Sequence, residues 1–438
     1  MRRSFLAVLH PPYFGTWVVR AAFLIALFGW GVGFYGPPIF LHTVIERTGW
    51  ALELVSAAIT VHFLAGALCA AQLPRIHRRF GVAATTRMGA IVASVALLGW
   101  ATAPSPTALF VAALASGVGW ATMGAVALNL IVSPWYTSGR PAALSAAYNG
   151  ASIAGVLFSP LWVALISGLG FLAAAAAVGV VTSLVVWALA VSVLSRQAPA
   201  APDLPTAADG ASQHAPAGAR TGDSPVPVPP LPARAPWRDA RLATIAAAMA
   251  LGLFAQLGLL AHLFTLLVPE LGRQSAGWMM AIATACALGG RTIAARWLER
   301  GADRRRVAIA FYAIQLPGMA ALAVSGDGML VPIIAGMILF GLGLGNATSL
   351  PPLIAQAEFA ADDVPRAVAL IVSFAQATYA FAPAAFGALL AATVAGSARL
   401  GEGTGVFFAV AAALQVAAIG CLIARTGAPP CAATGRDR

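Results

Sequence analysis

Apolar runs of about twenty residues recur along the whole chain, each long enough to span hydrocarbon. Twelve are expected: 17–41, 52–73, 84–103, 107–133, 141–166, 170–194, 241–267, 275–298, 307–325, 329–352, 365–393 and 404–424. Polar and apolar positions do not alternate within them, as the strands of a membrane barrel would require. Helices satisfy their own backbone in lipid, so helices are predicted throughout. Residues 196–240 interrupt the pattern with runs such as PVPVPPLPARAP. A segment this rich in proline, alanine and small polar residues buries little apolar surface and is expected to be an extended linker. The predicted organisation is a six-helix bundle over 1–195, the linker 196–240, a second six-helix bundle over 241–425 and a tail over 426–438.

Composition agrees with the pattern. Hydrophobic residues make up 60% of the 438 positions and charged residues 9%, where soluble domains carry roughly a quarter charged. The formal net charge is +11, and all the basic residues are arginine because the chain has no lysine. On a soluble protein such a charge suggests nucleic acid. Here the arginines flank apolar spans, which is the pattern of topology signals. Counting them places both termini and the linker in the cytoplasm. Arg75, Arg78, Arg79, Arg87, Arg140, Arg300, Arg304, Arg305, Arg306 and Arg366 fall on that side, and Arg47, Arg273 and Arg399 on the other. Arg2 and Arg3 precede no cleavable leader pattern, so residues 17–41 read as a retained span. The alanine- and arginine-rich usage suggests a bacterial inner-membrane protein. Cys69, Cys286 and Cys421 lie in spans and Cys431 in the tail, so no disulfide framework is predicted.

The two halves echo each other. TGWALELVSAAI opens the second span and AGWMMAIATACA the eighth, an offset of 228. Gly117, Gly119 and Arg140 recur as Gly343, Gly345 and Arg366, an offset of 226. Arg20 entering the first span parallels Arg241 entering the seventh. Parallel repeats of this kind place a binding site near the midplane between the halves.

With these features the chain resembles the major facilitator superfamily over essentially its whole length. GRTIAARWLERGADRRR is similar to that superfamily's gating motif. Gly290 and Arg291 match its Gly-Arg, Glu299 stands at its acidic position, and Arg304 to Arg306 match its basic end. In the first half, HRRFGVAATTR keeps Arg79, Phe80, Gly81 and Arg87 but has Arg78 where an aspartate is usual. The stretch around Trp135-Tyr136, Arg140, Ala147, Gly150, Gly155 and Pro160 resembles the monocarboxylate and oxalate-formate transporter branch. That resemblance implies that Arg291 faces a carboxylate substrate, although Ala287 stands where many such relatives carry an aspartate. It also implies gate roles for Arg79, Gly81, Arg140, Glu299, Arg304 and Arg366.

Polar residues inside spans are costly and usually face a cavity or another helix. No Asp or Glu lies near the middle of any span. The candidates for substrate contact are Arg291, Trp30, Tyr35, His62, Gln256, Asn346, Gln376 and Tyr379. Arg291 can bind a carboxylate through two parallel hydrogen bonds, or it can bond helix ends near the gate. His62 can carry a coupling proton, or it can be a neutral histidine bonded to a neighbouring backbone. His262, Asn129, Tyr148 and Asn149 are further polar positions. Pro37-Pro38 is expected to interrupt the first span near its outer end.

No phosphate loop, HExxH or paired Cys-x-x-Cys is present, and no enzyme, metal site or cofactor is predicted. The reading is a secondary transporter, monomeric in the bilayer, moving a small organic anion by alternating access with or without a coupled proton. The alternative is a carrier for an uncharged or hydrophobic solute, with Arg291 serving the gate alone. A transporter-like sensor is a third class. The glycine and proline pattern of drug antiporters is incomplete in the fifth span, GASIAGVLFSP.

Overall fold

The computed structural model describes residues 13–136, 139–198, 231, 236–326, 329–360, 362–393, 400 and 403–424. The tail 426–438 and most of the linker 196–240 lie outside the described residues. So do Arg2, Arg3, Arg399 and Cys431. Among the described residues every regular element is helical.

The chain forms two compact units, Met1–Pro216 with Leu267–Ala281, and Ala217–Leu266 with Ile282–Arg438. The first six spans comprise α1 (Gly15–Gly33) with α2 (Pro37–Thr48), α3 (Leu52–Phe80), α4 (Val82–Thr102), α5 (Pro106–Ala121) with α6 (Ala125–Val132), α7 (Arg140–Leu169) and α8 (Phe171–Leu189). The other six comprise α9 (Ala240–Leu271), α10 (Arg273–Glu299), α11 (Arg304–Ala313) with α12 (Gln315–Ala323), α13 (Leu330–Leu344) with α14 (Leu350–Glu358), α15 (Val364–Tyr379) with α16 (Ala382–Thr393), and α17 (Gly405–Ile423). Eleven helical stretches among the described residues are long and apolar enough to cross a membrane, and α13 is a shorter apolar helix. Together they account for the twelve predicted spans. Glycines in the left-handed or an otherwise positive-φ conformation reverse the chain between them, as at Gly49 and Gly81.

Five spans are made of two helices each, and the sequence pattern anticipated only the first of these breaks. At the first, the amide N–H groups of Phe34 and Tyr35 both bond the Trp30 carbonyl, at 3.0 and 2.9 Å. Tyr35 therefore does not serve Gly31, its regular helical partner. Pro37 has no N–H for Gly33. Two carbonyls are left without helical donors in a membrane segment, where that is expensive. Both are taken up by side chains of other helices. Trp162 on α7 donates Nε1–H to the Gly31 carbonyl at 2.9 Å, and His62 on α3 donates Nε2–H to the Gly33 carbonyl at 2.8 Å.

Lipid tails are as apolar as leucine, so spans associate by close packing of small residues. The repeat is visible in that packing. A Cβ at Gly117 on α5 would collide with the His62 carbonyl on α3, and a Cβ at Gly290 on α10 would collide with the Leu342 carbonyl on α13. Positions 62 and 290 are related by the 228 offset, and 116 and 342 by the 226 offset. The second and fourth spans of each half thus cross at equivalent points.

Gly289 and Gly290 test this packing as a pair. Space around Gly289 is open. Gly290→Ala is expected to destabilise the protein by roughly 1–3 kcal/mol through overpacking. Gly289→Ala is expected to cost nothing, because alanine is the better helix former. Thermal unfolding of the two variants in detergent micelles checks both outcomes.

Candidate functional site

Arg291 sits on α10 and is half-buried. Its Nε–H donates to the Gly345 carbonyl at 3.1 Å. Gly345 ends α13, where carbonyls lack helical donors, and a cation there also meets the negative end of the helix dipole. The Ser349 hydroxyl donates to the same oxygen at 3.3 Å from the start of α14. A Cβ at position 345 would lie 2.6 Å from Arg291 Nε and 2.7 Å from the Ala287 carbonyl oxygen. The missing side chain at Gly345 therefore lets α10 press its backbone against the break of the tenth span, with Arg291 securing the contact.

His62 is 1% exposed. The Gly33 carbonyl can only accept, so Nε2 carries the proton. Nδ1 lies 2.8 Å from Ser116 Oγ, whose hydroxyl is also 2.8 Å from the Ala113 carbonyl and which receives the Trp100 indole N–H at 3.1 Å. A chain of donors runs from α4 through α5 and α3 to the break of the first span, and it uses both ring nitrogens. His262, fully buried on α9, donates Nε2–H to the Pro383 carbonyl of α16 at 3.0 Å.

The other candidates separate by unit. In the first, Trp30 is half-buried and meets Trp120 and Tyr148 edge-on, at centroid separations of 6.3 and 6.2 Å. Tyr35 is buried beside Phe34. Tyr148 donates to the Ala125 carbonyl at 2.9 Å and accepts from Asn129 at 2.8 Å, which fastens α6 to α7. In the second unit, Gln256 is fully buried with neither amide atom hydrogen-bonded among the described residues. Asn346 donates to the Leu342 carbonyl at 3.3 Å, and its buried Oδ1 accepts from no donor among the described residues. Gln376 and Tyr379 lie half-buried on α15. Among the described residues no group of three metal-ligating side chains occurs.

At the arginine-rich helix ends the structure distributes the gate candidates unevenly. Arg79 is exposed over the Phe80 ring, and Gly81 makes the turn into α4 with φ of 80°. Arg140 opens α7 and bonds the Tyr136 carbonyl weakly at 3.4 Å. Glu299 ends α10 in an exposed position with no ion pair among the described residues, and Arg366 is exposed on α15. Arg304 donates to the Leu353 carbonyl at 2.6 Å.

The strongest polar centre at this end rests on Arg305, which falls in the basic end of the gating motif, and on Glu358, Arg241 and Asp239, which the sequence reading did not place in the gate. Arg305 is 4% exposed. It grips Glu358 through Nε–Oε1 at 2.5 Å and Nη2–Oε2 at 2.9 Å, and reaches the Leu422 carbonyl and Thr244 hydroxyl at 3.2 Å each. Arg241 donates to the Glu358 carbonyl at 2.8 Å while held by Asp239 at 2.6 Å. Hydrogen bonds from Arg241 hold the Asp239 carboxyl below its ordinary value. Arg305 on the ninth span thus bonds the tenth through Glu358, the twelfth through Leu422 and the seventh through Thr244. The signal was latent in the repeat, which singled out Arg241, but nothing in the spacing identified its partner.

Removing one member of a buried pair leaves the other charge uncompensated. Glu358→Ala is expected to destabilise the protein by roughly 3 kcal/mol. Glu299→Ala is expected to stay within about 0.5 kcal/mol of wild type. Melting temperatures of the purified variants decide between them.

A protein-family model described as the Major Facilitator Superfamily matches residues 21–383. No curated protein matches the sequence significantly. Among solved structures, the nucleoside transporter NupG is similar with a TM-score of 0.70 at 13% identity, over 95% of this chain and 99% of that one. A bacterial homologue of the human lysosomal transporter Spinster, inward-facing and occupied, gives 0.68 at 15% identity, over 95% and 97%. A mutant of the peptide transporter POT in complex with sulfate gives 0.68 at 15% identity, over 93% and 94%. These likenesses establish a shared fold and leave the cargo open. The helical architecture and the match over most of its length make this chain a member of the major facilitator superfamily, a multi-pass membrane transporter and not an enzyme.

Proposed function

We propose that this transporter carries a small uncharged solute by alternating access, with Arg291 as a structural residue of the tenth span. The observation that carries this reading is the hydrogen bond from Arg291 Nε to the Gly345 carbonyl at the helix break. It is supported by the chemistry of the remaining candidates, which is neutral: amides at Gln256, Asn346 and Gln376, and aromatic rings at Trp30, Tyr35 and Tyr379. Bonding of both His62 nitrogens likewise favours transport without a histidine proton carrier. The arginine bias supports cytoplasmic termini in a bacterial inner membrane, with the protein acting as a monomer.

The carboxylate reading predicts a different substrate profile. The test is uptake by proteoliposomes of uracil, nicotinamide and uridine against acetate, lactate and oxalate, by wild type and Arg291→Lys. The expected result is uptake confined to neutral solutes, with Arg291→Lys changing stability and rate but not selectivity. Wild-type uptake confined to carboxylates, abolished in the lysine variant, would contradict it.

A further inference from the structure

The first unit contains two fully buried tryptophans, Trp100 and Trp162, and each indole N–H has an acceptor, Ser116 Oγ at 3.1 Å and the Gly31 carbonyl at 2.9 Å. Trp120 departs from this rule. It is only 9% exposed, and its Nε1–H is buried with no hydrogen-bond partner among the described residues. An unmet buried donor is costly, on the order of 1–3 kcal/mol, and native proteins retain few of them.

The ring is nevertheless held firmly. It stacks on His62 at 5.5 Å and 28°, and meets Phe63 edge-on at 5.6 Å. Glycines make the room it occupies: a Cβ at Gly66 would lie 2.9 Å from the benzo edge at Cε3, and one at Gly33 would collide with Cδ1, the carbon bonded to Nε1. The donor edge of Trp120 thus lies along the break of the first span, where Gly33 has no side chain. His62, which seals the Gly33 carbonyl, also forms the floor under the indole. Beside it stands half-buried Trp30, edge-on to both Trp120 and Tyr148. Trp120 itself ends α5 at the break of the fourth span, so two interrupted spans present a fixed donor next to aromatic surface.

We propose that Trp120 is a solute-binding residue: its indole N–H donates to a hydrogen-bond acceptor on the cargo, while the rings of Trp30 and Tyr148 contact the cargo's flat apolar part. The ligand class is a neutral planar solute bearing a carbonyl or ring heteroatom. The assignment rests on the neutral-solute reading and adds to it the donor and the shape. A carboxylate has no counter-charge here, since this aromatic group contains no cation.

Two measurements on the full-length protein test it. The first follows the isotope-labelled indole N–H resonance of Trp120, assigned by its loss in Trp120→Phe, during titration with nicotinamide or uracil and with toluene as a ring lacking an acceptor. The second measures uptake kinetics of nicotinamide and uracil for wild type, Trp120→Phe and Trp30→Leu. The expected result is a shift of the Trp120 resonance with nicotinamide or uracil and none with toluene. KM is expected to rise about tenfold in Trp120→Phe, the size of one lost hydrogen bond, with kcat within about twofold. Uptake of neutral solutes by wild type with an unmoved Trp120 resonance would overturn the assignment and leave the neutral-solute reading standing. Uptake of carboxylates alone would overturn both. The titration uses the wild-type fold, so it remains decisive if Trp120→Phe assembles poorly.

Discussion

Backbone carbonyls in hydrocarbon have no water to bond, and that constraint organises this protein. A continuous helix meets it without help. Here five spans are broken, and several carbonyls lose their helical donors. Side chains from neighbouring helices supply the missing N–H groups: Trp162 to Gly31, His62 to Gly33 and Arg291 to Gly345. The same device recurs at the arginine-rich ends, where Arg304, Arg241 and Arg305 reach the carbonyls of Leu353, Glu358 and Leu422. Two of the polar side chains that look chemically active in the sequence, Arg291 and His62, are donors to an interrupted backbone.

The breaks give the transporter something a straight bundle lacks. They bring small residues and open edges to defined depths, and the donors hold those edges in place. At the first span, Pro37 removes an N–H, His62 replaces it, and the imidazole in turn carries the Trp120 ring. At the tenth, Gly345 lets two backbones approach, and Arg291 fixes the distance. Close packing of glycines at repeat-related crossings, Gly117 and Gly290, supports each half in the same way.

Much of the fold was legible in the sequence because hydrophobic length and glycine spacing are local properties. The twelve spans, the first-span break at Pro37-Pro38 and the repeat offsets all follow from runs and intervals. The breaks at residues 122–124, 314, 345–349 and 380–381 were not foreseen, since no proline marks them as plainly. Site chemistry was less legible for a different reason. Whether Arg291 or His62 serves a ligand or a carbonyl depends on which backbone atom lies across the helix interface, and one chain's residue order does not contain that distance. The Arg305–Glu358 pair lay hidden for the same reason, its partners being 53 residues apart. Trp120 escaped attention because a tryptophan in a span reads as packing until its N–H is seen to lack an acceptor.

The central claim is that His62 is a backbone donor holding the first-span break and takes no part in proton coupling. It is tested most directly by comparing His62→Phe with wild type, measuring both thermal unfolding and the pH dependence of uptake. The account predicts a marked loss of stability, on the order of the 1–3 kcal/mol expected for an unsatisfied buried carbonyl, with an unchanged pH profile for whatever transport remains. Unaltered stability together with a lost pH dependence would contradict it.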